Sequence, residues 1–137
     1  MLAQAIKKNL IEKITEEVEP AFIILFGSVA RGTTHSESDI DLAYFSSVKQ
    51  LSAYERFILA SELAAIAGCE VDLVDLMRCD TVFTMQIFDQ GEPIYIQDHN
   101  EFIRQRIRAY SMYATLSEQR APIMAAIRER GGVFDDE

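Results

Sequence analysis

A run of six apolar residues, from Ala21 to Phe26, constrains the fold of this chain more than any other feature. Its sequence, AFIILF, is rich in β-forming residues, and it is bounded by Pro20 on one side and Gly27 on the other. A short apolar run without alternation is typical of a strand that is buried on both faces. The sequence therefore predicts a buried strand here.

Most other segments carry helix or strand patterns, apart from a loop predicted at 27–38, and residues 1–137 are expected to form a single α+β domain. Apolar residues recur every four positions from Leu2 to Glu19, which predicts an amphipathic helix that Pro20 ends. Ser52 and Glu55 have the spacing of a capping box, so we expect a second helix to begin there and to end at Gly68. Further helices are predicted at 80–91 and at about 98–130, and further strands at 39–46, 70–76 and 93–97.

The charge of the chain limits the partners that it can bind. Lys and Arg number 13 against 22 Asp and Glu, which gives a formal net charge of −9. A surface of this sign repels phosphates, so we expect no direct binding of nucleic acid, whereas a basic protein would be attracted. No apolar run is long enough to span a membrane, and the first residues do not resemble a signal peptide. We therefore expect a cytoplasmic protein without membrane contact.

Two carboxylates follow the buried strand at a fixed distance. Gly27 and Ser28 come directly after it, and ten residues later the chain reads Asp39-Ile40-Asp41. Gly27 permits a sharp turn and the close approach of a ligand, and Ser28 could hold a phosphate with its hydroxyl and nearby N–H groups. Because residues two apart on a strand share a face, the two carboxylates would lie together and could bridge two Mg²⁺ ions. This arrangement is typical of phosphoryl and nucleotidyl transfer.

The strand predicted at 70–76 supplies candidates for a third metal ligand. Asp72 and Asp75 lie three positions apart on it, so their side chains face opposite sides of the strand. Only one of them can join the two carboxylates of the motif. The spacing alone does not choose between them.

The segment FGSVARGTTHSESDIDLA, residues 26–43, resembles the Gly-Ser-x10-Asp-x-Asp signature of the polymerase-beta-like nucleotidyltransferase superfamily. The small size, the later VDLVDL run and the C-terminal segment RAYSMYATLSEQRAPIM resemble the minimal nucleotidyltransferase (MNT) antitoxins of HEPN–MNT toxin–antitoxin modules. The resemblance implies a short mixed sheet with helices packed on one face. It also implies a long C-terminal helix, at about 98–130, that binds a partner.

The resemblance further implies roles for individual residues. It favours Asp72, the first Asp of VDLVDL, over Asp75 as the third carboxylate. Three carboxylates would hold two Mg²⁺ ions and carry the catalytic chemistry, with ATP as the substrate. An arginine three residues after the Gly-Ser pair would reach the phosphates, although a surface role is the alternative for it. The implied residues are Asp39, Asp41 and Asp72 for metal binding and catalysis, and Gly27, Ser28 and Arg31 for the nucleotide.

The activity implied by the resemblance is transfer of AMP from ATP to a hydroxyl group, that of a tyrosine, on a cognate HEPN ribonuclease toxin, which is thereby neutralised. The protein would form a hetero-oligomer with this toxin or a homo-oligomer. One alternative is an antitoxin that binds and covers the toxin without catalysis. A second is an enzyme that modifies a small molecule, although 137 residues leave no room for a second substrate-binding domain.

Overall fold

The structure, a computed structural model, describes residues 2–27 and 39–129. Two of the residues implied to contact the nucleotide, Ser28 and Arg31, lie outside these ranges. None of the helices that are described is long and apolar enough to span a bilayer.

Every helix and strand that the sequence predicts is confirmed, with bounds that differ by one or two residues. Capping explains the agreement at α2, where the Ser52 hydroxyl accepts a hydrogen bond from the Glu55 N–H and the Glu55 carboxylate accepts one from the Ser52 N–H. The helices are α1 (Gln4–Val18), α2 (Ala53–Ala67), α3 (Thr81–Gln90) and α4 (His99–Glu129), and the strands are β1 (Phe22–Phe26), β2 (Ile40–Phe45), β3 (Val71–Asp75) and β4 (Glu92–Ile96).

The four strands form one mixed sheet in the order β3-β2-β1-β4. The apolar strand β1 runs antiparallel to both of its neighbours, β2 and β4. The strands β2 and β3 are parallel, and α2 makes the crossover between them. Pro93 lies on β4, an outer strand, where the missing N–H of a proline costs the sheet no hydrogen bond.

Helices pack on both faces of this sheet. On one face, α1 and α2 cover alternate residues of the central strands, among them Ile23 and Leu42. On the other face, α3 and α4 cover Phe22, whose ring stacks on Phe45 and meets the edge of Phe102. The α+β class, the mixed sheet and the long C-terminal helix are as expected, but the expectation that the helices lie on one face is wrong. Because successive residues of β1 point to opposite faces and all are apolar, each face must be covered.

The core on the α1 side contains a tyrosine whose hydroxyl group is buried. Tyr44 is 1% exposed, and its hydroxyl has no hydrogen-bond partner among the described residues. Burial first, and then the nearby carboxylate of Asp75, raises the pKa of Tyr44 to about 12. The folded protein therefore disfavours the ionised phenolate.

We expect Tyr44→Phe to keep or increase the free energy of unfolding at pH 7, because the ring keeps its packing and a buried hydroxyl is removed. A tyrosine in an unfolded chain has a pKa of about 10. The raised pKa of Tyr44 therefore contributes to the free energy of unfolding. This contribution is fully present below pH 10 and is lost as the pH rises through 12. Urea denaturation at pH 7 and across this alkaline range should show a smaller alkaline loss for Tyr44→Phe than for the wild type.

The matched control is Tyr54→Phe, at an exposed position, which should lose stability with pH as the wild type does. Burial also raises the pKa of the Cys79 thiol to about 11, and this group contributes equally to all three proteins. If Tyr44→Phe loses as much stability at alkaline pH as the wild type does, the raised pKa of Tyr44 is not the cause of that loss.

Candidate active site

The two aspartates of the motif lie at the start of β2. Asp39 directly precedes the strand, and Asp41 is its second residue. The residues on either side of Asp41, Ile40 and Leu42, point into the core on the α1 side. The Asp41 side chain therefore lies on the opposite face. Both aspartates are partly exposed, so a ligand can reach them.

Gly27 lies directly against the carboxylate of Asp41. The last residue of β1, Phe26, pairs with Asp41, which brings the following residue beside it. The φ angle of Gly27 is +80°, and a Cβ atom at this position would overlap Oδ2 of Asp41. The sequence predicts a glycine that lets a ligand approach, but in the structure the Asp41 carboxylate itself takes up the space that a side chain would need.

The pairing of β2 with β3 separates the two aspartates of β3. Asp72 is the register partner of Asp41, on an adjacent strand about 4.8 Å away, and it is exposed. Asp75 is buried, accepts a hydrogen bond from the Met77 N–H at 2.9 Å and lies 3.4 Å from Nε of Arg78. The structure therefore places Asp72 beside the motif and gives Asp75 structural partners elsewhere.

The carboxylates supply the donor type that Mg²⁺ prefers, but not a complete site. Within residues 2–27 and 39–129, no group of three or more His, Cys, Asp or Glu side chains is placed to hold a metal ion. Mg²⁺ is usually held by one or two protein carboxylates together with substrate phosphates and water. The adjacent pair Asp41 and Asp72, with Asp39 just before β2, fits such a partial set of ligands. A metal–nucleotide complex would bring the remaining ligands with it.

Cys69 is a neighbour of the site that no pattern in the sequence predicts. Burial, and second the charge of Asp39, raises the pKa of its thiol. The two residues meet because the parallel strands begin side by side, with the Ile40 N–H donating to the Glu70 carbonyl at 2.9 Å. Only the pairing of β2 with β3 brings Cys69 here, and no motif in the sequence indicates it.

A comparison with protein families and curated proteins places the site in a known context. Residues 8–100 match the family described as Polymerase beta, Nucleotidyltransferase. The protein adenylyltransferase MntA of Shewanella oneidensis is 35% identical over 124 residues, which cover 88% of this chain and 87% of MntA.

Solved structures share the fold over nearly their whole length. One chain of a toxin–antitoxin crystal structure with AMP-PNP has a TM-score of 0.79 at 30% identity, covering 89% of this chain and 98% of that chain. A chain from the MntA–HepT toxin–antitoxin has a TM-score of 0.76 at 27% identity, with 92% and 99% covered. A third, from a tri-AMPylated Shewanella oneidensis HEPN toxin in complex with an MNT antitoxin, has a TM-score of 0.76 at 27% identity, with 91% and 98% covered.

We expect Gly27→Ala to destabilise the fold more than Gly68→Ala does. Both glycines have a left-handed backbone, with φ of +80° and +77°, which costs a residue with a side chain about 1–3 kcal/mol. A Cβ at Gly68 would meet nothing within 4 Å, whereas one at Gly27 would overlap Asp41. Urea denaturation measures both losses, and the difference between them reports the overlap.

A double-mutant cycle tests the cause of that difference. Adding Asp41→Ala should recover part of the loss in Gly27→Ala, with a coupling of about 0.5–3 kcal/mol, and should recover none of the loss in Gly68→Ala. Additive losses at Gly27 and Asp41 would show that the carboxylate does not occupy this space.

Proposed function

Because this chain belongs to the polymerase beta nucleotidyltransferase family, we propose that it is an Mg²⁺-dependent enzyme that transfers AMP from ATP to a hydroxyl group of a protein. The acceptor in this proposal is a tyrosine of a cognate HEPN ribonuclease toxin, and the modification neutralises the toxin. The relatives support this choice, since MntA is a protein adenylyltransferase and a tri-AMPylated HEPN toxin is found in complex with an MNT antitoxin. A cytoplasmic location and assembly with the toxin belong to the same proposal.

The observation that carries the proposal is the meeting of three motif positions at one end of the sheet. Gly27 lies against Asp41, and Asp41 pairs with Asp72 on the next strand. Mg²⁺ is usually held by one or two protein carboxylates together with substrate phosphates and water. The placement of Asp41 and Asp72 on adjacent strands is therefore suited to binding a metal–nucleotide complex.

Each of these residues has a role in the proposed reaction. The hydroxyl oxygen of the acceptor attacks the α-phosphorus of ATP, the bond to the pyrophosphate oxygen breaks, and pyrophosphate leaves. Asp72 accepts the proton of the hydroxyl group, because it is the exposed carboxylate beside the motif. Asp39 and Asp41, together with Asp72, would hold two Mg²⁺ ions. When bound, Mg²⁺ neutralises charge on the phosphates and lowers the pKa of a coordinated hydroxyl group.

The nucleotide itself would be held at the turn after β1. The left-handed backbone of Gly27 turns the chain out of the strand next to Asp41. Ser28 and Arg31, which follow it in the sequence, complete the proposed triphosphate contacts. In this proposal the triphosphate would lie between Gly27 and the carboxylates.

The net charge of the chain supports the choice of partner. A protein of charge −9 attracts a basic, RNA-cutting partner and speeds its encounter with it. A phosphodiester added to that partner would place negative charge where RNA phosphates must bind, and would oppose binding by repulsion. The modification would therefore inactivate the toxin without a permanent cover.

We expect intact mass spectrometry of the purified HEPN partner, after incubation with this protein, Mg²⁺ and ATP, to show one or more added AMP groups. The double variant Asp39→Ala/Asp41→Ala should add no AMP to the partner. Asp72→Asn should slow the addition by about 10²–10⁴-fold, the usual contribution of a general base. The matched control is Asp75→Asn, which changes the aspartate that faces Arg78 and Met77, and it should retain most of the activity.

Thermal unfolding separates binding from chemistry in the same set of variants. Mg²⁺ with ATP should raise the melting temperature of the wild type by linkage, and Asp39→Ala/Asp41→Ala should lose this rise. The HEPN partner could stay unmodified and still lose its ribonuclease activity in proportion to the amount of this protein. That result would contradict the proposed enzymatic function and would support an antitoxin that acts by binding. Equal loss of activity in Asp72→Asn and Asp75→Asn would contradict the assignment of the third carboxylate.

A further inference from the structure

The helix α3 packs on the sheet face that carries the carboxylate of Asp41. Its buried residues Ile87 and Phe88 pack in the same cluster as Ala43 of β2. Because residues two apart on a strand share a face, the Asp41 side chain lies on the same side of the sheet as Ala43. The helix and the carboxylate therefore occupy one face of the sheet.

Phe83, on the first turn of α3, contacts the residue that pairs with Asp41. The ring centroids of Phe83 and Phe26 are 5.7 Å apart, and the rings meet edge to face at an angle of 78°. Phe26 is the register partner of Asp41 and directly precedes Gly27. Residues that pair directly on adjacent antiparallel strands have neighbouring side chains on the same face. The Phe83 ring therefore lies one side chain away from the Asp41 carboxylate.

The Phe83 ring is held in place and is still accessible to a ligand. The Phe83 N–H donates a hydrogen bond to Oδ1 of Asp80 at 2.7 Å, which fixes the first turn of the helix, and the ring rests against Phe26. The side chain is nevertheless 37% exposed, whereas that of Ile87, one turn later, is 1% exposed. A ring that is already ordered loses little conformational entropy when a second flat group stacks on it.

The order of the strands separates the two substrates of the proposed reaction. Because β2 lies between β1 and β3, Phe26 and Asp72 are on opposite sides of Asp41. The β3 side carries Asp72, which accepts the proton of the attacking hydroxyl group in the proposal. The β1 side carries Phe83 and the turn at Gly27, where the triphosphate is proposed to bind. This position favours a contact of Phe83 with the nucleotide over one with the acceptor.

The base of ATP is the part of the nucleotide that suits an aromatic side chain, since every base has a flat face on which a ring can stack. We infer that Phe83 stacks against the base of ATP and thereby positions the nucleoside while the triphosphate lies next to Gly27. This inference rests on the proposed function and adds the residue that binds the base.

Phe83→Leu tests the inference because it removes the ring and keeps an apolar side chain. Initial rates of AMP addition are measured at varied concentrations of ATP and of the HEPN partner. We expect the KM for ATP to rise about fivefold or more, as the loss of a base–aromatic stack predicts, with the KM for the partner unchanged. Phe83→Tyr keeps the ring and should remain within about twofold of the wild type for both substrates.

The control for the lost ring is Tyr54→Leu. Tyr54 is exposed and lies at the start of α2, on the other face of the sheet. Its substitution removes an aromatic ring without touching the surroundings of Asp41. Tyr54→Leu should therefore have the same KM for ATP as the wild type.

Fluorescence tests the stacking without turnover. The chain contains no tryptophan, so Phe83→Trp introduces a single indole ring at the proposed contact. We expect Mg²⁺ with ATP to quench its fluorescence. Mg²⁺ with tripolyphosphate, which lacks a base, should leave the fluorescence nearly unchanged. Tyr54→Trp carries the indole on the other face of the sheet and should respond to neither.

A KM for ATP within about twofold of the wild type in Phe83→Leu would overturn this inference alone. Unquenched fluorescence in Phe83→Trp would do the same when the melting temperature shows that Mg²⁺ and ATP are bound. A raised KM for the partner with an unchanged KM for ATP would also overturn it and would assign Phe83 to the acceptor. A wild-type protein that adds no AMP to the partner would overturn the proposed function, whereas quenching of Phe83→Trp by Mg²⁺ and ATP decides this inference separately.

Discussion

The close approach of Gly27 to the Asp41 carboxylate sets the geometry of the whole site. It follows from the antiparallel pairing of Phe26 with Asp41, which places Gly27 beside the second residue of β2. The parallel pairing of β2 with β3 then places Asp72 directly beside Asp41. A shift of either pairing by one residue would turn a carboxylate to the other face and separate the three positions.

The helices and strands could be predicted from the sequence because each carries a strong local signal. The apolar run of β1, the capping box of α2 and the aspartate that caps α3 all act within a few residues. The strand register is a long-range property and has no such signal. For this reason spacing alone could not choose between Asp72 and Asp75, and the coverage of both faces by helices was not expected.

The central claim is that the carboxylates at the start of β2 and on β3 bind a metal–nucleotide complex. A crystal structure with Mn²⁺ and AMP-PNP tests it most directly, because the anomalous signal of Mn²⁺ locates the metal independently of the nucleotide. We expect Mn²⁺ to be coordinated by Asp39, Asp41 and Asp72, with the triphosphate next to Gly27. Mn²⁺ or the triphosphate bound elsewhere, with these carboxylates uncoordinated, would contradict it.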